Sequence, residues 1–308
     1  MALLDEIRKA CAGVAADARS VRIREAAIDP YARALEPPAA LRADPAIVPL
    51  SASREQLAGF VLTLDAINFG SGWFPTLRKR PGRSGYFTIA LGLRERFDAD
   101  PDSFAAARLG EVDAAWLAEA LGQAPDHELI GLYTAALREL GAHVCERHAG
   151  SFERLVDQAG GSAERLVEML SGWPGFRDVS TYGDITVPFF KRAQIAAADL
   201  ARAGVLAAGD QRRLTIFADN LVPHVLRVDG VLEYDAALLA RIEAGELLRH
   251  GSFEEVEIRA CAVHAVELLV AAKDGRFTAA AADAALWDRG STQRYKASPR
   301  HRTRCTAY

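Results

Sequence analysis

Apolar residues recur along most of this chain at intervals of three and four, a period that commits it to helices packed on helices. The clearest case opens at Ser53-Arg-Glu-Gln56, a capping box, and continues through Leu57, Phe60, Val61, Leu64 and Ile67 on one face. Gly70 and Gly72 then stop it. Similar amphipathic runs predict helices over 104–121, 127–147, 151–170, 189–203, 235–249 and 253–272, each parted from the next by Gly, Pro or Asp. Strand-like alternation is scarce, and only 180–188 (STYGDITVP) reads as extended. The expected fold class is all-α: residues 1–308 as a single, compact, mostly helical domain, with two helical lobes around a cleft as the alternative.

Charge narrows the partners. A net charge of −4 argues against a protein built to grip a nucleic-acid polymer, yet leaves room for a small anion in a local basic pocket. No run of about 18 apolar residues suggests a membrane span. MALLDEIRKACAG carries acids early and lacks an apolar leader core, so a cytoplasmic protein is expected. The four cysteines (Cys11, Cys145, Cys261, Cys305) are scattered, which favours reduced thiols over a disulfide or metal framework. Cys261 and His264 could share a helix face, but no third ligand stands at useful spacing, so no metal is expected. No nucleotide or cofactor fingerprint appears either, and no cofactor is expected.

Three places hold more polar chemistry than packing needs. In the first, Lys191 and Arg192 stand near a helix start, where free N–H groups would reinforce an anion site; a solvated basic pair is the plainer reading. Asp199 lies one turn beyond Ile195, facing either a cleft or solvent. Nearby, the apolar run Leu214–Ala218 ends abruptly on Asp219. Asp219 reads either as a turn or helix C-terminal residue, where the macrodipole would oppose it, or as a site carboxylate. The second place is Asn68-Phe69-Gly-Ser-Gly-Trp73, whose aromatics could form a stacking wall or simply plug a helix end. The third is the carboxyl end, with Asp283, Trp287 and Asp288 and then a basic tail whose Cys305 and Tyr308 are of the kind that pack down. Asp283 and Asp288 are about 140° apart on a straight helix, so they converge only if that segment bends.

Together, Lys191-Arg-Ala-Gln-Ile195 with Asp199, Phe217-Ala-Asp219-Asn220 with Val222-Pro223, Gly230-Val-Leu with Tyr234, Glu255-Val-Glu-Ile-Arg259 with Cys261, and Arg302-Thr-Arg-Cys305 with Tyr308 resemble the queuosine salvage protein family, from about Ser51 onward. The resemblance implies a fold like that of helical DNA glycosylases. It also implies cleavage of queuosine 5′-phosphate to release queuine for salvage into tRNA, with queuosine and queuine as further small-molecule partners. By the same resemblance, Phe217 and Asp219 line the base pocket and Asp219 acts as nucleophile or transition-state stabiliser; Asp199 is a further candidate catalytic carboxylate. Asp283 and Asp288, flanking Trp287, would contact the base, and Lys191 with Arg192 would serve the 5′-phosphate. Asn68, Phe69 and Trp73 match the family's aromatic segment only in part, and Ala284 stands where some relatives carry an aromatic residue.

The chemistry suits the residues. Breaking an N-glycosidic bond develops positive charge on the ribose, which a preorganised carboxylate stabilises. Queuine is a 7-deazaguanine with a side-chain ammonium, so several carboxylates around a cationic base form a sensible inventory. A helical DNA-repair glycosylase is the alternative enzyme, and a non-catalytic modified-nucleotide-binding protein the alternative from another class.

Overall fold

Capping chemistry sets most helix starts in the computed structural model, which describes residues 2–38 and 40–308. Helix α1 (Leu3–Asp17) leads through a short strand, β1 (Val21–Ile23), into α2 (Glu25–Ala34). Helix α3 (Arg54–Ala66) opens at the expected capping box, with the Gln56 N–H donating to Ser53 Oγ and the Ser53 N–H to Gln56 Oε1. Ser84 caps α4 (Gly85–Ala99) in the same manner from its side chain. The run expected over 104–121 is interrupted: α5 (Ala106–Glu111) ends and α6 (Ala114–Leu121) begins afresh, because Asp113 accepts from the Trp116 N–H. Helix α7 (Glu128–His148) is continuous, as its periodicity predicts.

The run expected over 151–170 also divides, into α8 (Phe152–Gln158) and α9 (Ala163–Ser171). Gly160 and Gly161 separate them at φ 61° and 76°, a backbone that suits glycine and ends a helix. The extended reading of 180–188 holds as a hairpin of β2 (Val179–Tyr182) and β3 (Ile185–Pro188), paired Val179 to Pro188 and Tyr182 to Ile185. Then follow α10 (Lys191–Arg202), α11 (Leu221–Val228), strand β4 (Leu232–Tyr234) and α12 (Ala236–Glu243). Strand β4 pairs antiparallel with β1, a ribbon of three residues a side that is too short to show alternation in the sequence. Helix α12 stops well before 249: Gly245 turns at φ 75°, and Leu247 beyond it bridges to Arg302. Helices α13 (Phe253–Ala271), α14 (Ala279–Gly290) and α15 (Gln293–Lys296) complete a predominantly helical chain.

Helix α13 runs through the middle, with every residue from Glu255 to Val263 buried. Helix α1 lays Leu4, Ile7, Cys11 and Val14 against it, and α10 packs on α3 and α9. These contacts leave α3, α4, α10, α14 and the 214–220 loop converging on one polar region. No helix among the described residues is long and apolar enough to cross a membrane.

Candidate active site

The loop that carries Asp219 is held by buried side chains at several of its backbone groups. Gln194, buried on α10, accepts from the Thr215 N–H at 3.0 Å and donates to Thr215 Oγ1 at 3.0 Å. The Phe217 N–H donates to Asp283 Oδ1 at 3.0 Å, and the Ala218 carbonyl accepts from Arg259 Nε at 3.0 Å. Asp219 then accepts from the Leu221 and Val222 N–H groups, at 2.7 and 3.2 Å, at the start of α11. It therefore lies at a helix N-terminus, not a C-terminus, and the dipole favours its negative charge. The sequence hid this because Pro223 inside the first turn reads as a breaker, although it fits there without losing a hydrogen bond.

Around Asp219 stand Lys191, Asp283 and Arg300, close enough for their charges to act on one another. Burial, then the neighbouring Asp219 charge, pushes the Asp283 carboxyl up to about 7. Burial pushes Lys191 down against the pull of Asp219 and Asp65. Asp199 is nearby on α10, its Oδ1 accepting from Arg202 Nη1 at 2.8 Å, and burial raises its affinity for a proton. Asp65, on α3, is 1 % exposed, and burial together with Asp199 holds it well above the ordinary carboxylate range. Its Oδ1 accepts from the Asn68 amide at 3.3 Å, while Oδ2 has no partner among the described residues, nor do Arg202 Nε and Nη2. Buried polar atoms seldom go unpaired, so this set is open towards something absent from the fold's own contacts.

Asp65 is the residue that periodicity concealed. It lies on the helix of the apolar face described above, four residues after Val61, and an acid at that spacing was the available signal. A second omission is the aromatic wall. Tyr86 and Phe87, in the first turn of α4, meet Trp287 edge-on and tilted at centroid distances of 5.8 and 5.7 Å. Tyr86 also feels Asp199 and Asp65. Trp287 thus belongs to a wall, with aromatic partners different from those the sequence suggested.

Those suggested partners are occupied elsewhere. Phe69 is buried beside Tyr133 under the Arg192 guanidinium, and Trp73 donates from Nε1 to Glu128 at 2.7 Å beneath Arg304. The glycines between them have a packing reason. A Cβ on Gly72 would fall 2.4 Å from the Thr303 carbonyl, and the Gly70 N–H donates to the Tyr308 carbonyl, so the carboxyl tail packs down here. Both basic residues are engaged by acceptors of the fold itself. Lys191 Nζ donates to the Asn68 carbonyl and Oδ1 at 2.8 and 3.0 Å, and Arg192 is bonded to the Ala66 and Gly175 carbonyls. The first N–H of α10 is also taken, by Asp178 at 3.1 Å. Asp288 is exposed on a continuous α14, apart from the buried Asp283, because no bend brings the two together; Ala284 is half-buried beside Asp283.

An open groove of about 730 Å³, with Ala12, Arg22, Arg24, Glu25, His264 and Leu268 in its lining, holds none of these groups. Its lining mixes alanines with Arg22, Arg24, Glu25 and Glu233 and brings no convergent buried carboxylates together. The convergent buried carboxylates carry more weight.

One consequence can be measured without substrate. Asp283 folds with its carboxyl near 7 against an ordinary 3.8, so its ionisation costs the fold nothing below pH 4 and the full amount above pH 7. At roughly 1.4 kcal/mol per unit the cost reaches about 4 kcal/mol as an upper bound. Asp283→Asn, which keeps an acceptor for the Phe217 N–H, is expected to raise the melting temperature by several degrees at pH 8.5 and by less than half as much at pH 5. An equal shift at both pH values would assign Asp283 an ordinary carboxyl.

Comparison with known proteins converges on one family. The profile described as Queuosine salvage protein matches residues 48–308. A Sphaerobacter thermophilus protein named queuosine 5′-phosphate N-glycosylase/hydrolase is 37 % identical over 272 residues, which cover 84 % of this chain and 83 % of that one. Proteins of the same name from Dictyostelium discoideum and Bos taurus are 32 % and 35 % identical. The first match covers 81 % of this chain and 77 % of its own, and the second 56 % of each.

Proposed function

Since the chain belongs to the queuosine salvage protein family, we propose that it is an N-glycosidase hydrolysing queuosine 5′-phosphate to release queuine. The observation that carries the reading is the pairing of family membership with a fixed carboxylate, Asp219, among buried acids that take up a cationic base. In the reaction the C1′–N9 bond breaks and its electron pair passes to the base. The oxygen of a water joins C1′, one of its protons is lost to a carboxylate, and the base gains a proton. Asp219 stabilises the positive charge at C1′. Asp283 binds the pyrimidine edge of the base beside Phe217, and the Tyr86–Phe87–Trp287 wall flanks it. Chromatography of wild-type protein incubated with queuosine 5′-phosphate should show queuine and ribose 5-phosphate in equal amounts. Tight binding without release would instead indicate a binding protein.

The 5′-phosphate falls to Arg300, a half-buried cation beside Asp219, rather than to Lys191 and Arg192, which the fold's own carbonyls engage. The Asn220 amide donates to the His301 carbonyl at 3.2 Å and ties that cation to the catalytic loop. Arg300→Ala is expected to lower kcat/KM for queuosine 5′-phosphate at least about tenfold, with a much smaller loss on the nucleoside queuosine; a charge-assisted bond is worth about 1.5–3 kcal/mol. Equal losses on the two substrates would make Arg300 a structural residue.

A further inference from the structure

Lys191 and Arg202 are the cations whose charges act on the buried Asp65 and the half-buried Asp199, and neither hydrogen-bonds Asp65. Lys191 places its ammonium on Asn68, and Arg202 donates through Nη1 to Asp199. What remains in this cluster, around Asp199, is one carboxylate oxygen, Asp65 Oδ2, and two guanidinium nitrogens, Arg202 Nε and Nη2, each atom buried and unpartnered among the described residues. An open acceptor that bears charge calls for a cationic donor. Open donors on the guanidinium that Asp199 holds call for neutral oxygen acceptors. We propose that Asp65 and Asp199, with Arg202, form a subsite for a protonated amine that carries hydroxyl groups, and so set the enzyme's preference among 7-deazaguanine bases.

Resting on the queuosine 5′-phosphate reading, this places queuine's side-chain ammonium on Asp65 Oδ2 and its hydroxyls on Arg202. The site has the right electrostatic bias. Burial raises the proton affinity of both carboxyls, the Asp199 charge adds to the rise at Asp65, and an incoming cation opposes both shifts and favours the charged carboxylates. The plainer alternative, an acid buried solely to pair within the fold, leaves Asp65 Oδ2 unexplained.

The test compares queuine with 7-deazaguanine, the same ring without the side chain, by calorimetry on the full chain. Wild type is expected to bind queuine at least about tenfold more tightly, and Asp65→Asn or Asp199→Asn to reduce that ratio at least about tenfold. The ligand offers a check free of folding effects: an analogue with the amine nitrogen replaced by an ether oxygen should bind wild type at least about tenfold more weakly than queuine. An unchanged ratio in folded variants, or an ether that binds as well as queuine, overturns the subsite. Release of queuine from queuosine 5′-phosphate tests the parent reading separately. No release with an intact preference for queuine would sink that reading alone, whereas normal release with equal affinity for both bases would sink the subsite alone.

Discussion

Asp219→Asn lowers the turnover of queuosine 5′-phosphate by at least about 100-fold while leaving substrate affinity within about tenfold, an effect expected from losing one strong electrostatic stabiliser worth roughly 3 kcal/mol. The structure makes the substitution a clean one. An asparagine oxygen can still accept from the Leu221 and Val222 N–H groups, so the cap on α11 and the loop geometry survive. The bonds to Thr215, Phe217 and Ala218 do not involve the Asp219 side chain at all. Only the full negative charge is removed, and the transition state responds to charge more than the ground state does. Asp219→Ala serves as the contrast, because it loses the cap as well, at about 1 kcal/mol of stability. Single-turnover kinetics separates chemistry from binding. A folded Asn variant with a near-normal rate would remove Asp219 from the catalytic role.

How much of this was legible beforehand depends on what a residue's neighbours in sequence reveal. Helix period and caps located α3, α7, α10 and α13, and STYGDITVP located the hairpin, because those signals are local. Asp113, Gly160 and Gly161 broke two runs because one capping acid or two left-handed glycines outweigh an amphipathic stripe. The chemistry of Asp219 could be suspected from its place at the end of an apolar run, but whether a helix ends or begins there could not. Lys191 and Arg192 are ambiguous in sequence for a physical reason. A basic pair at a helix start looks the same in sequence whether it faces a phosphate or bonds, as here, to carbonyls at the end of α3, just beyond it, and in the segment before β2. Asp65 was hidden by the reverse effect, since a lone acid among nine buried companions on α3 is easily passed over as a surface residue. Tyr86 and Phe87 reach the site only because α4 folds back towards α14, a contact across about two hundred positions.

The largest loss of stability is expected at a residue that touches no substrate. Arg259 is fully buried on α13, donating to both oxygens of Asp178 at 3.0 and 2.6 Å and to the Ala218 carbonyl, with Glu255 3.6 Å away. Its guanidinium also lies 3.9 Å from the ring centre of Phe189 and 4.4 Å from that of Tyr308. Asp178 in turn caps α10, where Phe190 holds an unfavourable left-handed backbone at φ 46°. Arg259→Met keeps the bulk and removes the charge, which leaves two buried carboxylates short of a partner; the expected cost is about 3–5 kcal/mol in urea unfolding. Arg259→Lys should recover little of it, because a point charge cannot replace a planar fork that binds a carboxylate, a carbonyl and two rings at once. Adding Asp178→Asn to Arg259→Met should cost less than the sum of the single changes, since the unpaired charge is then gone while an acceptor for the Lys191 N–H remains. A loss below about 1 kcal/mol for Arg259→Met would contradict the buried network. Arg259 is also a positioning residue for Asp219, through the carbonyl of Ala218 next to it. The folded fraction of Arg259→Met, assayed at low temperature, should therefore lose kcat more than it gains in KM, a split that lost stability alone does not produce.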